Sequence, residues 1–343
     1  MSELASGLAP GWDALEAPLR ALYGRPPDAH YGTMIKYALG GPDPLDGFSV
    51  WRDGEVLHYL TYGFTELYAK ETEDPDVSGY GFELCFRLRH GGDDVPLWPM
   101  HLLQNLARYV FRTGNVFAPG HHLDANGPIA TDLPTALTAL AFDADPAFPE
   151  EMASPFGRFR LLSVVGVTAG EYQAMLAWNT AGVLQLLGEA ARVTDLGRSS
   201  VAEAPAFQAA VAEGMAREGS SQGAVFVDVL EVVDEPGGVR VTLHARAAAE
   251  LARLLVGRIP FGRGFVLYGP KARVDLQPAA RVEARRGEAG LTVLLPEPTA
   301  RELAAVIRPL RGRQTVRALP GVAFDVVPFV VRDREGRVVR EEG

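Results

Sequence analysis

The sequence predicts a mixed α/β protein of two domains, each a mainly antiparallel or mixed sheet flanked by helices. Three observations carry this. The 343 residues exceed one ordinary domain of about 100–200 residues. Strand-like alternation and helical stripes interleave along the chain. Charge also divides unevenly: residues 1–195 hold 12 Lys plus Arg against 25 Asp plus Glu, net −13, and the remainder holds 21 against 18, net +3. We place an N-terminal domain at 1–200, a helical junction at 201–222 and a C-terminal α/β domain at 223–343. Opposite signs fit two units that attract each other or grip something between them.

The elements follow in order. GTMIKYALGG (32–41) reads as a strand closed by glycines, and GPDPLDG (41–47) as a turn, because Pro42 and Pro44 fix φ and lack ladder donors. Strands come next at FSVWR and VLHYLTYGF. In GYGFELCFRLRH (79–90), Phe82, Leu84, Phe86 and Leu88 alternate with Glu83, Cys85, Arg87 and Arg89, which predicts one core face and one polar face. A helix follows over 99–114, with Pro99 in its first turn, a stripe of Leu102, Leu103, Leu106 and Val110, and Gly114 as the left-handed stop. After a Gly/Pro/His/Asn-rich loop (118–128) come an apolar stretch at LTALAF, an acidic loop (143–151), a buried strand at RFRLLSVVGV and two helical segments parted near Trp178.

Pro205 is placed to start a junction helix that buries Phe207, Val211 and Met215 and stops at Gly219. GAVFVDVLEVV (223–233) reads as one strand. Further strands are expected near 239–243, 264–268, 282–285, 291–295 and 322–331, with helices at 247–256 and 299–307. The last carries a capping-box pattern, Thr299 with Glu302. The tail VVRDREGRVVREEG reads as a hairpin or a frayed end.

Composition excludes several classes. Hydrophobic residues at 47% and charged residues at 22% argue against global disorder. A single cysteine forbids an intrachain disulfide or a thiolate zinc cluster, and suits a reducing compartment. The start lacks a basic stretch followed by an apolar run, and the apolar segments fall short of a bilayer span, so a cytoplasmic protein is expected. A net charge of −10 argues against a nucleic-acid partner, because binding phosphates needs a basic face.

No catalytic set coheres. Gly219-Ser220-Ser221-Gln222-Gly223 matches G-x-S-x-G, but a helix precedes it and a strand follows, the reverse of a hydrolase elbow. His121 and His122 are adjacent in an extended stretch and point apart, which makes a poor metal pair. Cys85 has Glu83 and Arg87 as same-face neighbours; Arg87 favours the thiolate, yet sequence places no His beside it, and a packed bystander is the plainer reading. The glycine-rich 262–270 lacks Walker spacing, and the acidic runs lack the glycine and glutamate of a calcium loop. We expect no enzyme activity, cofactor or metal. Aromatic residues cluster in the first half, among them Trp51, Tyr59, Tyr62, Trp98 and Tyr109, types that serve a core and also anchor protein interfaces.

YGTMIKYALGGPDPLDGFSVW, HYLTYGFTELY, GYGFELCFRLRH, WPMHLLQNLARYVFRTGNVF and RFRLLSVVGV, in this order, resemble the Suppressor of fused family, densely over 11–196 and sparsely over 223–328. The resemblance implies a non-enzymatic protein of two α/β domains. In animal members of that family the cleft between the domains clamps an extended peptide of Gli-type transcription factors, added as a strand. It assigns partner contacts to Tyr109 in LARYVF, to His121, which stands where animal members have an acid, and to Ala224, Val225 and Phe226. An imidazole at His121 loses the charge preference an acid would give a peptide histidine. With 30 arginines against 3 lysines the chain points to a GC-rich, bacterial source, where relatives have been proposed as immunity proteins that neutralise a toxin partner.

Overall fold

Apolar alternation from Phe48 to Val164 builds one large sheet, and the computed structural model shows both of its faces covered. Residues 9–35, 37, 40–288, 290–332 and 337–342 are described. The chain divides into two units, Met1–Gln173 with Thr180–Phe207, and Ala174–Asn179 with Gln208–Gly343.

The first unit runs α1 (Pro10–Tyr23), β1 (Ala29–Gly32), β2 (Gly47–Asp53), β3 (Val56–Tyr62), β4 (Val77–Arg89), α2 (Trp98–Thr113), β5 (His122–Asp124), β6 (Leu137–Ala144), β7 (Met152–Ser154), β8 (Gly157–Thr168), the first half of α3 (Ala169–Ala177), whose last turn belongs to the second unit, and α4 (Thr180–Leu187). The sheet order is β1-β2-β3-β4-β8-β6-β5, with β7 also on β8. β4 and β8 run parallel, and their neighbours pair antiparallel. Leu103, Leu106, Ala107 and Val110 of α2 pack with Phe82, Leu84 and Phe86 on one face. Leu15 and Leu19 of α1 pack with Trp51, Leu60, Tyr62 and Cys85 on the other. The expectation of a polar face on β4 is therefore corrected: α1 covers it, and Glu83 and Cys85 are fully buried.

The strand expected over 32–41 is also corrected. β1 ends at Gly32, and Thr33 instead ties the loop, donating from its N–H to Asp46 O and from its hydroxyl to Leu45 O. Residues 36, 38 and 39 lie outside the described residues.

The second unit holds α5 (Pro205–Glu218), β9 (Ala224–Phe226), β10 (Leu230–Glu235), β11 (Gly238–His244), α6 (Ala245–Arg258), β12 (Phe265–Tyr268), β13 (Arg273–Pro278), β14 (Glu283–Arg286), β15 (Gly290–Leu295), α7 (Glu297–Val306), β16 (Gly312–Thr315), β17 (Val322–Val327), β18 (Phe329–Arg332) and β19 (Val338–Glu342). Two mixed sheets, β14-β15-β13-β12-β9 and β10-β11-β17-β16, share one core with α6 and α7. The tail pairs as the antiparallel β18–β19 ribbon.

Three expectations change here. The single strand over 223–233 is two, in different sheets: Val225 and Val227 are buried and then Leu230 is, so the buried parity switches and the chain bends between them. The run 322–331 breaks at Pro328, which has no ladder donor. The capping box is absent, because α7 starts two residues before Thr299, capped by the backbone of Pro296, whose carbonyl accepts from Ala300 N.

Candidate functional site

α2 positions Tyr109. Pro99 lies in its first turn, and Gly114, at φ +72°, ends it by donating to Val110 O, so Tyr109 stands one turn before the exit. Its half-buried ring stacks on Phe117 at 5.8 Å, and Phe117 stacks on Phe142 of β6 at 4.1 Å and 9°. The Tyr109 hydroxyl accepts from Asn115 Nδ2. Beyond Phe117 the chain turns, His121 N donating to Ala118 O, and the His121 carbonyl accepts from Phe142 N. Tyr109 and the exposed His121 are thus both tied to the Phe117–Phe142 stack.

His121 leads into β5, which pairs with β6 on one side. Among the described residues no strand pairs on its other side. Phe142 N donates to His121 O and Ala125 N to Thr138 O, so the period of two turns the backbone groups of His122 and Asp124 outward. The His122 ring packs on Tyr172 and shares a hydrogen bond with Thr180, and burial together with neighbouring His121 holds its pKa below the ordinary value.

The remaining predicted residues form β9 in the second unit. β9 lies at the end of its sheet, parallel to β12. Val266 N donates to Gly223 O and Val227 N to Tyr268 O, which leaves the backbone groups of Ala224 and Phe226 outward. Val225 is buried. Phe226 is 82% exposed and stacks on Tyr268 at 5.3 Å.

The other sequence candidates fall elsewhere. Gly219, at φ +76°, ends α5, and exposed Ser221 donates its N–H to Trp178 O while buried Ser220 donates its hydroxyl to Leu176 O. These bonds serve a helix stop.

Sequence reasoning missed a polar cluster beneath α1. His58 of β3 faces Arg87 of β4 across the ladder, and ligand atoms of His58, Cys85 and Asp145 lie within 4.8 Å of one another. The pairing register of β3 with β4 was the missing signal. Burial pushes the Cys85 thiol far up, so the expected lowering by Arg87 is corrected: desolvation wins, and Arg87 is engaged by Asp145. Burial and then Arg87 hold His58 at about 3, which keeps its imidazole neutral. Three ligand types suggest a metal, but the carboxylate does not fit one. Asp145 Oδ2 accepts from Arg87 and Ser163, and Oδ1 accepts from Arg87 and Ala147 N. Its roughly four acceptor positions are taken. A cation there would have to evict Arg87, so the cluster acts as a buried pin.

Glu83, next along that face, accepts from Thr61 and Thr65 hydroxyls and from the N–H groups of Gly63 and Thr65. Burial still dominates and raises it to about 7. Among the described residues no helix is long and apolar enough to cross a membrane.

Residues 41–199 match the family model described as Suppressor of fused protein. The Suppressor of fused homologues of Homo sapiens and Mus musculus are each 34% identical over 239 residues, covering 63% of this chain and 49% of theirs. The chain therefore spans about half the length of these curated relatives. The crystal structure of Drosophila Suppressor of Fused superposes with a TM-score of 0.80 at 21% identity, covering 95% of this chain and 99% of that one, and shares its fold. A chain of the Sufu-Fu complex crystal structure superposes at 0.54 with 28% identity, covering 59% and 97%.

Proposed function

We propose, from the match of residues 41–199 to the Suppressor of fused family model and the 34% identity to the curated relatives, that the chain is a non-enzymatic protein-binding protein that takes an extended polypeptide segment by strand addition. The observation that carries the reading is β9: a strand at the end of its sheet, with the backbone groups of Ala224 and Phe226 outward and the exposed Phe226 ring, stacked on half-buried Tyr268, beside them. Backbone bonds along such an edge supply affinity, and the flanking side chains supply choice. β5, led by His121, is the first unit's counterpart, and Tyr109 is the aromatic anchor near it. That a related chain has been solved in the Sufu-Fu complex supports a protein partner.

The test is capture of host proteins by the tagged chain, compared with Tyr109→Ala combined with Ala224→Glu. Ala224 is half-buried at the edge, and the acid repels an incoming backbone carbonyl. Loss of the specific partner with an unchanged melting temperature supports the reading. Undiminished capture by the folded double variant overturns it.

A further inference from the structure

The row Arg160, Leu162, Val164 on β8 runs along the face that packs on α2: Leu162 and Val164 are core residues, and Phe82, opposite Arg160, is one as well. An arginine that continues a core-facing row ordinarily has an acid beside it, because a half-buried charge without a partner is costly. Arg160 has none: among the described residues no hydrogen bond or ion pair reaches its guanidinium.

The neighbouring backbone opens a space for that group. Val77 pairs with Arg158 and Phe82 with Arg160, so residues 78–81 of β4 oppose Phe159 alone. Gly79 and Gly81, at φ +55° and +78°, carry this bulge, and Tyr80 N donates to Phe64 O away from β8. Bulges of this kind re-aim side chains and break pairing beside binding sites. The result is a pocket of about 400 Å³ walled by Tyr80, Gly81, Phe117, Arg158, Arg160 and Glu151. Arg158 is already spent, donating to Asp76 O and pairing with Glu151 at 3.2 Å, which also settles the charge of that acid. One cation is left in the lining, which it shares with the Tyr80 and Phe117 rings. Phe117 is the ring on which Tyr109 stacks, and Ala118, also in the wall, accepts from His121 N.

The geometry points to a carboxylate-binding subsite. Arg160 receives the acidic side chain of a partner segment, in the two-pronged manner in which guanidinium meets carboxylate, and the aromatic walls take the neighbouring apolar residue. The identity of this occupant rests on the binding function proposed above; the subsite itself rests on the pocket.

The experiment titrates the full chain with two capped dipeptides, N-acetyl-Phe-Glu-amide and N-acetyl-Phe-Gln-amide, following the NMR signals of Gly81, Phe82 and Ala118. The acid should shift them saturably and bind at least about tenfold tighter than the neutral probe, the value of a hydrogen bond to a charged group. Arg160→Gln should reduce the acid to the level of the neutral probe. Equal binding of the two probes, no saturable shift with either, or undiminished acid binding by Arg160→Gln overturns the inference. The two-probe comparison needs no variant, so it decides even if Arg160→Gln does not fold. A chain that prefers the acid probe yet captures no protein partner supports the subsite and overturns the reading of the whole chain.

Discussion

Arg87 grips Asp145 with two prongs, 2.5 and 3.2 Å long, in the layer between the large sheet and α1. Asp145 is completely buried and the Arg87 side chain nearly so. Burial alone pushes the Asp145 carboxyl up, but the hydrogen bonds and charge of Arg87 outweigh it and hold the group below its ordinary range. Removing one partner leaves the other's charge largely buried and unpaired. Asp145→Asn should therefore cost about 3–5 kcal/mol in urea unfolding. The apolar pair Arg87→Met with Asp145→Leu should recover much of that loss. A loss below about 1 kcal/mol for Asp145→Asn would mean that Arg87 reaches water or another acid in the fold.

His58 and Glu83, both buried on that face, give opposite pH dependences. The fold refuses His58 its proton down to about 3, whereas the unfolded chain takes it near 6.5, so stability is full above 6.5 and is lost as pH falls toward 3. Glu83 keeps its proton in the fold to about 7 but releases it near 4.5 when unfolded, so its contribution is full below 4.5 and is lost as pH rises toward 7. Each slope is about 1.4 kcal/mol per pH unit. Between pH 4.5 and 6.5 they cancel. Glu83→Gln can keep the geometry, its amide donating to Thr61 while its carbonyl serves Gly63 and Thr65, and should make stability rise with pH across that window. His58→Phe should make it fall relative to the parent chain, because the lowered pKa values of His30, His122 and His244 add the same rising contribution to both. Denaturation midpoints at pH 4.5, 5.5 and 6.5 read both, and parallel profiles for the two variants would contradict the assignment.

Local pattern made much of this legible, and tertiary context hid the rest. β4 and α2 stand in the sequence as alternation and as a stripe ended by Gly114, because each period is set by residues a few positions apart. The burial of Glu83 and Cys85 was invisible, since it depends on α1 docking from more than sixty residues away, and α1 itself carries a proline at Pro18 that breaks its helical pattern. The bend between Val227 and Leu230 lies in a change of buried parity that the apolar run 223–233 does not mark, since its residues suit one continuous strand. At the candidate site, Tyr109, His121 and 224–226 came from resemblance. What adds to them, the outward backbone of β5 and β9 and the lone Arg160, follows from sheet order, which no local pattern encodes.

Phe226 and Val225, adjacent on β9, separate binding from folding. Phe226 is largely exposed, so Phe226→Ser should leave the unfolding free energy within about 0.5 kcal/mol while weakening partner capture. Val225 faces the core and Val225→Ser should cost about 1–3 kcal/mol. Capture that survives Phe226→Ser would remove the exposed aromatic from the proposed interface.

Gly79 and Gly54 share the same left-handed φ of +55° but differ in what surrounds them. Nothing lies within 4 Å of a Cβ added at Gly54, whereas one at Gly79 would stand 2.4 Å from Phe64 O, the acceptor that Tyr80 N uses. Gly54→Ala should thus carry the dihedral cost alone, about 1 kcal/mol. Gly79→Ala adds a backbone clash and should cost at least ~2 kcal/mol. The clash sits at the root of the bulge, so relief must push residues 78–81 away from Phe64 and distort the wall beside Arg160. Gly79→Ala should therefore also lower affinity for N-acetyl-Phe-Glu-amide, and Gly54→Ala should not. Equal costs for the two substitutions would show that the bulge yields freely, and unchanged probe affinity in Gly79→Ala would separate the subsite from the bulge.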